Sequence, residues 1–195
     1  MAYLTQEQLS LMGFHRVGEN VKISDKAAIY NPGRIELGDH IRIDDFCVLS
    51  AGEGGIAIGS YVHIGVFCLL CGKGKIVVED FVGISSRVSI YSSGDDFSGQ
   101  TLTNPTVPDK YKNVQHGKVQ LGKHVVIGAG AVILPNITIE TGAAVAALSL
   151  VTRSVSEFTI VSGISARRVG KRKSHVLELE HQLRQEILSN QGVGH

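Results

Sequence analysis

The segment between Ile90 and Leu121 holds the side chains best suited to acid–base chemistry. It is long for a connection in a compact fold, and it contains a single histidine, His116, together with the adjacent carboxylates Asp95 and Asp96. A neutral imidazole removes protons near neutral pH, and a carboxylate orients such a ring or acts as the base itself. We therefore expect His116 to be a general base with an aspartate partner. The alternatives are a surface histidine and an aspartate pair that only forms a turn.

A second group of candidate side chains is the basic run near the C-terminus. It contains Arg167, Arg168, Lys171, Arg172 and Lys173. Guanidinium and ammonium groups are suitable partners for phosphate, although a charge run between two elements is commonly only a solvated linker. The run follows directly on the repeats described below, which favours a phosphate-binding role for part of it.

The cysteines and the other histidines give weaker signals. Cys68 and Cys71 form one Cys-x-x-Cys pair, and the chain has 3 cysteines in all, too few for a second pair. His63 stands one place before an aliphatic core position and is expected to face outward. His116 and His124 lack the spacing of a zinc-binding histidine pair. The sequence therefore predicts no metal site.

These candidates must be positioned by an element with a period of six residues. Such a period fits neither a helix, which repeats at 3.6, nor an ordinary strand, which repeats at 2. Aliphatic residues recur every six positions in groups of three, and residues in excess of this spacing fall only between the groups. Three six-residue units therefore make one triangular coil of a parallel β-helix, in which successive coils stack about 4.8 Å apart. We predict about six coils over residues 17–155, with a projecting loop at residues 92–118. The repeating aliphatic residues are Val17, Ile23, Ile29; Leu37, Ile43, Leu49; Ile58, Ile64, Leu70; Val78, Ile84, Ile90; Leu121, Ile127, Ile133; and Ile139, Val145, Val151.

Both ends of this stack are expected to carry helices. The segment from Thr5 to Gly13 begins with the Thr-x-x-Gln pattern of a capping box. The segment from Ser174 to Asn190 has apolar residues at helical spacing, and Gly192 is expected to end that helix. Glycines such as Gly38 and Gly122 are expected at the corners, where they would let the backbone bend without a Cβ clash.

Composition and charge exclude several classes of protein. The 195 residues include 23 glycines, and 19 Lys and Arg against 18 Asp and Glu give a net charge of +1. Such a charge provides no field that would attract nucleic acid. No apolar run reaches membrane-spanning length, and the first residues lack the order of a signal peptide. We expect a cytoplasmic protein with no nucleic-acid partner and no membrane insertion.

The repeats resemble the hexapeptide-repeat acyltransferases, in particular the galactoside and maltose O-acetyltransferases and the enzymes that acetylate sugars of surface polysaccharides. The resemblance covers residues 17–170 and is most specific in LGKHVVIGAGAVILPNITIETGAAVAALSLVTRSVSEFTIVSGISARRV, from Leu121 to Val169. It implies a left-handed coil, acetyl-CoA as the donor, and a homotrimer with active sites between subunits. It divides the chain into an N-terminal helical cap (1–16), an acyltransferase domain (17–170) and a C-terminal helix (171–195).

The resemblance also assigns a donor site. Ala129 and Ala147 correspond to small residues that line the pantetheine arm of coenzyme A in that family. Thr152 and Arg153 stand at the family's Thr-Lys pair, and Arg167 stands at the basic residue after its Gly-x-Pro-x sequence. Simple packing in a narrow coil is the alternative explanation for the two alanines.

The activity implied by the resemblance is transfer of an acetyl group from acetyl-CoA to a hydroxyl of a sugar or glycan, in surface-polysaccharide biosynthesis. The chain departs from the family where a Gly-His-Pro sequence is expected, because Gly94, Asp95 and Asp96 stand there. An N-acetyltransferase acting on a nucleotide-linked amino sugar is the alternative, since a neutral amine needs less help from a base. A zinc protein like the carbonic anhydrases of this fold, or a β-helix without catalytic activity, is a more distant alternative.

Overall fold

The chain folds as a left-handed parallel β-helix with triangular coils, which confirms the predicted fold class. The computed structural model describes residues 2–191, so Gly192 and the rest of the predicted C-terminal segment to His195 lie outside the described residues. Three parallel sheets run along the three sides of the stack, here called face 1, face 2 and face 3. Each coil contributes one short strand to each face.

Face 1 consists of β1 (Arg16–Val17), β4 (Ile35–Leu37), β7 (Ile56–Ile58), β10 (Ile76–Val78), β15 (Val119–Leu121) and β18 (Thr138–Ile139). Face 2 consists of β2 (Lys22–Ile23), β5 (Arg42–Ile43), β8 (His63–Ile64), β11 (Gly83–Ile84), β16 (Val126–Ile127), β19 (Ala144–Val145), β21 (Thr159–Ser162) and β22 (Arg167–Lys171). Face 3 consists of β3 (Ala28–Tyr30), β6 (Val48–Ala51), β9 (Leu69–Gly72), β12 (Ser89–Tyr91), β17 (Val132–Ile133) and β20 (Leu150–Val151).

A partial seventh coil extends the six that the repeat predicts. Val155 pairs with Ile139 on face 1, β21 pairs in parallel with β19 on face 2, and Ile164 pairs with Leu150 on face 3. The chain then reverses, and β22 pairs antiparallel with β21. The first residues of the basic run therefore form a strand at the end of face 2, where the sequence alone leaves a linker as one alternative.

The predicted aliphatic rows form the core. From Leu37 to Val151 every repeating aliphatic residue is buried, whereas Val17 and Ile29 in the first coil are only partly buried. The first coil has no coil below it, and α1 (Gln6–Leu11) covers it with the buried side chain of Leu9. The predicted capping box at the start of α1 is present and satisfies backbone groups that the helix leaves free.

At one corner the backbone turns at non-glycine residues with a positive φ, and not at the predicted glycines. His40, Tyr61, Phe81 and His124 occupy equivalent corner positions on successive coils, and each has a positive φ of 55–61°. Their rings stack with centroids 4.6, 4.8 and 5.0 Å apart. Gly38, by contrast, has no positive φ, and a Cβ there would lie 2.8 Å from the carbonyl carbon of Gly59. The prediction that Gly38 bends the backbone is therefore wrong, but the expected Cβ clash is present, because the next coil passes too close for a side chain.

The stacked corner also holds the C-terminal helix, α2 (Val176–Gln191). Glu180 lies 2.6 Å from Nε2 of His124, and the guanidinium of Arg184 lies 5.5 Å above the ring of Phe81. Arg172 donates hydrogen bonds to the backbone carbonyls of His124 and Gly142, just before the helix begins. Part of the basic run thus fastens the C-terminal segment to the coils.

The loop between faces 3 and 1 begins and ends in a small antiparallel pair. β13 (Ser93–Gly94) pairs with β14 (Gln115–His116), so that Ser93 lies opposite His116. A short 3-10 helix, Asp109–Tyr111, lies within the loop. Gly117 ends it, and a Cβ there would lie 2.6 Å from the backbone nitrogen of Asn136, so only glycine allows this return. Within the described residues, neither helix has the length and apolar character needed to cross a membrane.

Candidate active site

A cavity of about 620 Å³ lies between the projecting loop and the corner that follows face 3. We call it the loop cavity. Its floor comes from residues that directly follow face-3 strands, namely Asn31 after β3, Gly52 after β6 and Lys73 after β9. Its wall comes from the loop and includes Ser93, Asp95, Asn104, Asp109, Lys112 and His116. The structure thus brings two of the three predicted catalytic residues, Asp95 and His116, to one cavity.

His116 is held by a hydroxyl group. Its Nδ1 lies 2.8 Å from Oγ of Ser93, and that oxygen also accepts a hydrogen bond from the backbone N–H of Lys73. No carboxylate contacts the ring among the described residues. A hydroxyl fixes the ring's orientation, but it stabilises an imidazolium less than a carboxylate does.

Asp96 serves the loop's own structure. Its carboxylate accepts hydrogen bonds from the backbone and side chain of Ser98 and from the hydroxyl of Thr101. These bonds, the backbone N–H of Ser98 first among them, hold the pKa of Asp96 below its ordinary value. Asp96 does not line the loop cavity, so the structure separates it from Asp95 and His116.

Two lysines add positive charge to the loop cavity. Lys73 is about half exposed, with Nζ 3.8 Å from a carboxylate oxygen of Glu53. Lys112 has only 11% of its side chain exposed, and its Nζ lies 2.8 Å from Asp109. Ammonium groups beside an open cavity are suited to bind an anion such as a phosphate.

The predicted donor residues divide between two corners. Ala129 and Ala147 lie exposed on successive coils between faces 2 and 3, where the backbone N–H of Leu148 donates to the carbonyl of Ala129 over 2.8 Å. Arg167 begins β22, beside the end of face 2. Thr152 and Arg153 directly follow β20 on face 3. They therefore lie on the same corner as the residues of earlier coils that form the floor of the loop cavity.

A second concave region lies on face 2, and we call it the face-2 groove. It has a volume of about 290 Å³ and is lined by Asp44, His63, Gly65, Gly83, Ile84, Ser85, Ser86 and Val126. A Cβ built on Gly83 meets no atom within 4 Å, so the centre of the groove is open. Because Ile84 pairs with Ile127, Ser86 occupies the same place in its coil as Ala129 does in the next.

One end of the face-2 groove carries a charged cluster. Nε2 of His63 lies 2.9 Å from Oδ2 of Asp44, and Nε of Arg42 lies 2.7 Å from Oδ1 of the same carboxylate. Burial by itself would raise the pKa of Asp44, but the hydrogen bonds from His63 and Arg42 outweigh it and hold the pKa below its ordinary value. Asp44 is therefore a carboxylate at neutral pH.

Sequence reasoning correctly predicted that His63 faces outward but missed its pairing with Asp44. The strand register between adjacent coils of face 2 would have revealed this pair. Arg42 and His63 are direct partners on adjacent strands of face 2, and Asp44 lies two residues beyond Arg42 on the same side. Within the described residues, no three His, Cys, Asp or Glu side chains converge in a group that could hold a metal ion.

Comparisons with known proteins add a specific relative. The chain is 52% identical over 180 residues to dTDP-4-amino-4,6-dideoxy-D-glucose acyltransferase from Escherichia coli, covering 92% of this chain and 94% of that protein. No family model matches the sequence.

Among solved structures the chain resembles AntD, an N-acyltransferase from Bacillus cereus. An AntD variant with a substituted serine, in complex with dTDP-4-amino-4,6-dideoxyglucose and coenzyme A, superposes with a TM-score of 0.92 at 46% identity, covering 95% of this chain and 98% of that one. AntD in complex with dTDP and 3-hydroxybutyryl-CoA gives the same TM-score of 0.92, at 97% coverage of that chain. A maltose O-acetyltransferase from Clostridium difficile shares the fold, with a TM-score of 0.58 at 19% identity over 87% of this chain and 75% of that one.

Proposed function

Because this chain belongs to the hexapeptide-repeat acyltransferases, we propose that it transfers an acyl group from coenzyme A to the amine of a nucleotide-linked amino sugar. The proposed acceptor is of the dTDP-4-amino-4,6-dideoxyglucose type. The loop cavity carries the proposal, because cations suited to a diphosphate and a carboxylate suited to an amine line the same space. The expected O-acetyl transfer has less support, since the relative from Escherichia coli, at 52% identity, is named for an amino sugar and AntD, at 46%, binds one, whereas the maltose O-acetyltransferase, at 19%, shares only the fold.

The acceptor is proposed to bind in the loop cavity. Lys73 and Lys112 would meet the diphosphate, and Asp95 would meet the sugar amine. The small Gly52 and the exposed Asn31 on the floor leave space for a nucleoside or sugar ring. The role of His116 as general base, taken from the sequence, stays a prediction. Its hydroxyl partner makes it equally suited to hydrogen-bond the acceptor.

The donor is proposed to lie along the corner between faces 2 and 3. Ala129 and Ala147 present only methyl groups there, and both are exposed, so an extended pantetheine arm fits against the backbone. Arg167 is exposed near the same corner and is suited to a phosphate of coenzyme A. When bound, the donor supplies an activated acyl group as a thioester.

The complete site is proposed to form between neighbouring copies in a homotrimer. In one chain the loop cavity and the Thr152–Arg153 pair lie on one corner, whereas Ala129, Ala147 and Arg167 lie on another. A contact between copies would join the two sets. The second corner also exposes apolar side chains, with Phe46 49%, Phe67 50% and Leu148 72% exposed, and burial between copies would remove them from water.

The test is a thiol-release assay with purified protein. Acetyl-CoA and 3-hydroxybutyryl-CoA are each offered with dTDP-4-amino-4,6-dideoxyglucose, with its 4-hydroxy counterpart and with the free amino sugar. We expect thiol release with the nucleotide-linked amine, and mass spectrometry should find the acyl group on its nitrogen.

The matched acceptors separate the alternatives. Equal or faster release with the 4-hydroxy counterpart would restore the O-transfer hypothesis. Equal thiol release with the free amino sugar would show that the acceptor does not need its nucleotide. No release with any acceptor, at protein concentrations where coenzyme A binding is detected by calorimetry, would reject the proposed function.

A further inference from the structure

The cluster of Arg42, Asp44 and His63 has the features of an acid–base pair. The side chain of Asp44 is only 7% exposed, while that of His63 is 52% exposed. A buried carboxylate thus holds an imidazole whose other edge faces outward. In hydrolytic triads a carboxylate bonded to the other ring nitrogen, Nδ1, fixes the tautomer of the histidine and stabilises its protonated form.

The hydrogen bonds determine which nitrogen of His63 is free. Asp44 is ionised and can only accept, so Nε2 of His63 carries a proton and donates it to Oδ2 over 2.9 Å. Nδ1 of the neutral ring then keeps its lone pair, and this nitrogen has no hydrogen-bond partner among the described residues. Nδ1 is therefore the atom of His63 that can accept a proton.

The groove places this ring beside the region proposed to bind the donor. His63, Gly83 and Val126 are successive rungs of face 2, about 4.8 Å apart. Val126 belongs to the coil that carries Ala129, and Gly83 leaves the space between Val126 and His63 open. An acyl thioester that passes Ala129 along the stack would reach the groove at Ser85 and Ser86.

We propose that His63 accepts the proton of the acceptor amine during acyl transfer, with Asp44 as its positioning residue. This inference rests on the proposed function and replaces His116 in the role of base. The contrast between the partners of the two rings favours it, since a carboxylate stabilises the imidazolium that proton transfer creates, whereas the hydroxyl of Ser93 does so less.

The step balances without any further reactant. The neutral amine attacks the thioester carbonyl carbon, a C–N bond forms, and the carbonyl electron pair moves onto oxygen. The proton on nitrogen passes to Nδ1 of His63. The carbonyl then re-forms, the C–S bond breaks, and its electron pair leaves on sulfur. The imidazolium returns the proton to the thiolate, which gives an amide, free coenzyme A and a neutral imidazole.

The decisive variant is His63→Gln, whose amide can still donate to Asp44 but has no basic nitrogen. General-base catalysis contributes about 10² to 10⁴ in rate, so turnover should fall within that range while coenzyme A affinity is retained. The loss should shrink at high pH, where hydroxide can take the proton from the attacking nitrogen in place of the imidazole. His181→Gln, an exposed position on α2, is the matched control and should leave turnover unchanged.

Asp44→Asn tests the positioning role through the tautomer of His63 and through separate measurement of kcat and KM. Arg42 and Asp44 are the charged neighbours of the ring, and the next coil faces it with the uncharged Gly83 and Ser85. Without the carboxylate, Nε2 loses its acceptor, so nitrogen-15 NMR should no longer find a single Nε2–H tautomer and kcat should fall while the KM for coenzyme A substrates is retained. Loss of packing alone would lower activity without changing the tautomer.

A measurement independent of activity guards against a misfolded variant. Nitrogen-15 NMR of the wild-type histidines should find the Nε2–H tautomer for His63, and an Nδ1–H tautomer would overturn the inference. It also fails if folded His63→Gln keeps near-normal turnover while the wild type acylates the amine, in which case the proposed function stands. If the wild type acylates no amine, the proposed function fails and this inference with it.

Discussion

The loop cavity and the face-2 groove are built in different ways. In the groove the lining residues lie on face-2 strands or just after them, so that residues from neighbouring coils face one another at the fixed spacing of the strands. In the loop cavity the groups come from an irregular segment, and their positions depend on local bonds such as those of Asp96 and Ser93. A regular stack thus suits the fixed geometry that a reacting centre needs, and a loop suits recognition of a particular acceptor.

The variant with the largest expected effect is Ile127→Asp, which should unfold the coils and so abolish both the loop cavity and the face-2 groove. Ile127 is fully buried at the centre of face 2, and Ile127→Asp would place a carboxylate among aliphatic side chains with no partner. Such a change costs several kcal/mol, so the variant should lose its β-sheet circular dichroism and bind no coenzyme A. Val126→Asp, on the exposed side of the same strand, is the control and should fold. A folded Ile127→Asp protein would contradict the burial of that row.

A complementation experiment tests whether the two regions belong to one site. Ala147→Trp should obstruct the donor and raise its KM, and Asp95→Ala should lower turnover with the amine. If each site takes its loop from one copy and its face from the next, a random mixture of the two variants in trimers should leave about one quarter of the sites intact. Assay of refolded mixtures measures the recovery. No recovery would mean that both regions act within a single chain.

The smallest expected effect comes from the aspartate that neighbours Asp95. Asp96→Ala removes the bonds to Ser98 and Thr101, which lie outside the loop cavity. We expect turnover within about threefold of the wild type, since surface changes away from a site are usually near neutral. Proteolysis of the loop should become faster. A loss as large as that of Asp95→Ala would show that loop order, and not the cavity alone, controls activity.

Much of the fold follows from the six-residue period, because a repeat constrains every coil by its neighbours. The aliphatic rows, the six complete coils and the place of the loop all come from spacing, whereas the partial seventh coil does not. A Cβ clash at Gly38 was expected in general terms, but the atoms involved could not be predicted, since they depend on how closely Gly59 approaches from the next coil. Nor does spacing indicate that β22 reverses onto β21, which depends on pairing at the end of the stack.

The candidate site was only partly accessible to sequence reasoning. The loop was predicted from its length, and the proposed donor residues were assigned from a resemblance. The separation of Asp95 from Asp96 depends on which hydroxyls surround each carboxylate, and adjacent residues look alike in sequence. The pair of His63 and Asp44 was missed because the two residues are one coil apart, and a search for neighbours along the chain does not connect them.

The coil, its core rows and its family could be predicted from the sequence, because each of these is a periodic or local property of the chain. The polar contacts could not: His116 meets Ser93, His63 meets Asp44, and His124 meets Glu180 only in the folded protein. The two kinds of property differ in the range over which residues must act together. Side-chain burial follows the repeat at each position independently, whereas a hydrogen bond requires two particular atoms within about 3 Å. Only the folded chain brings these atoms together, through stacked coils for His63, through the loop for His116 and through α2 for His124.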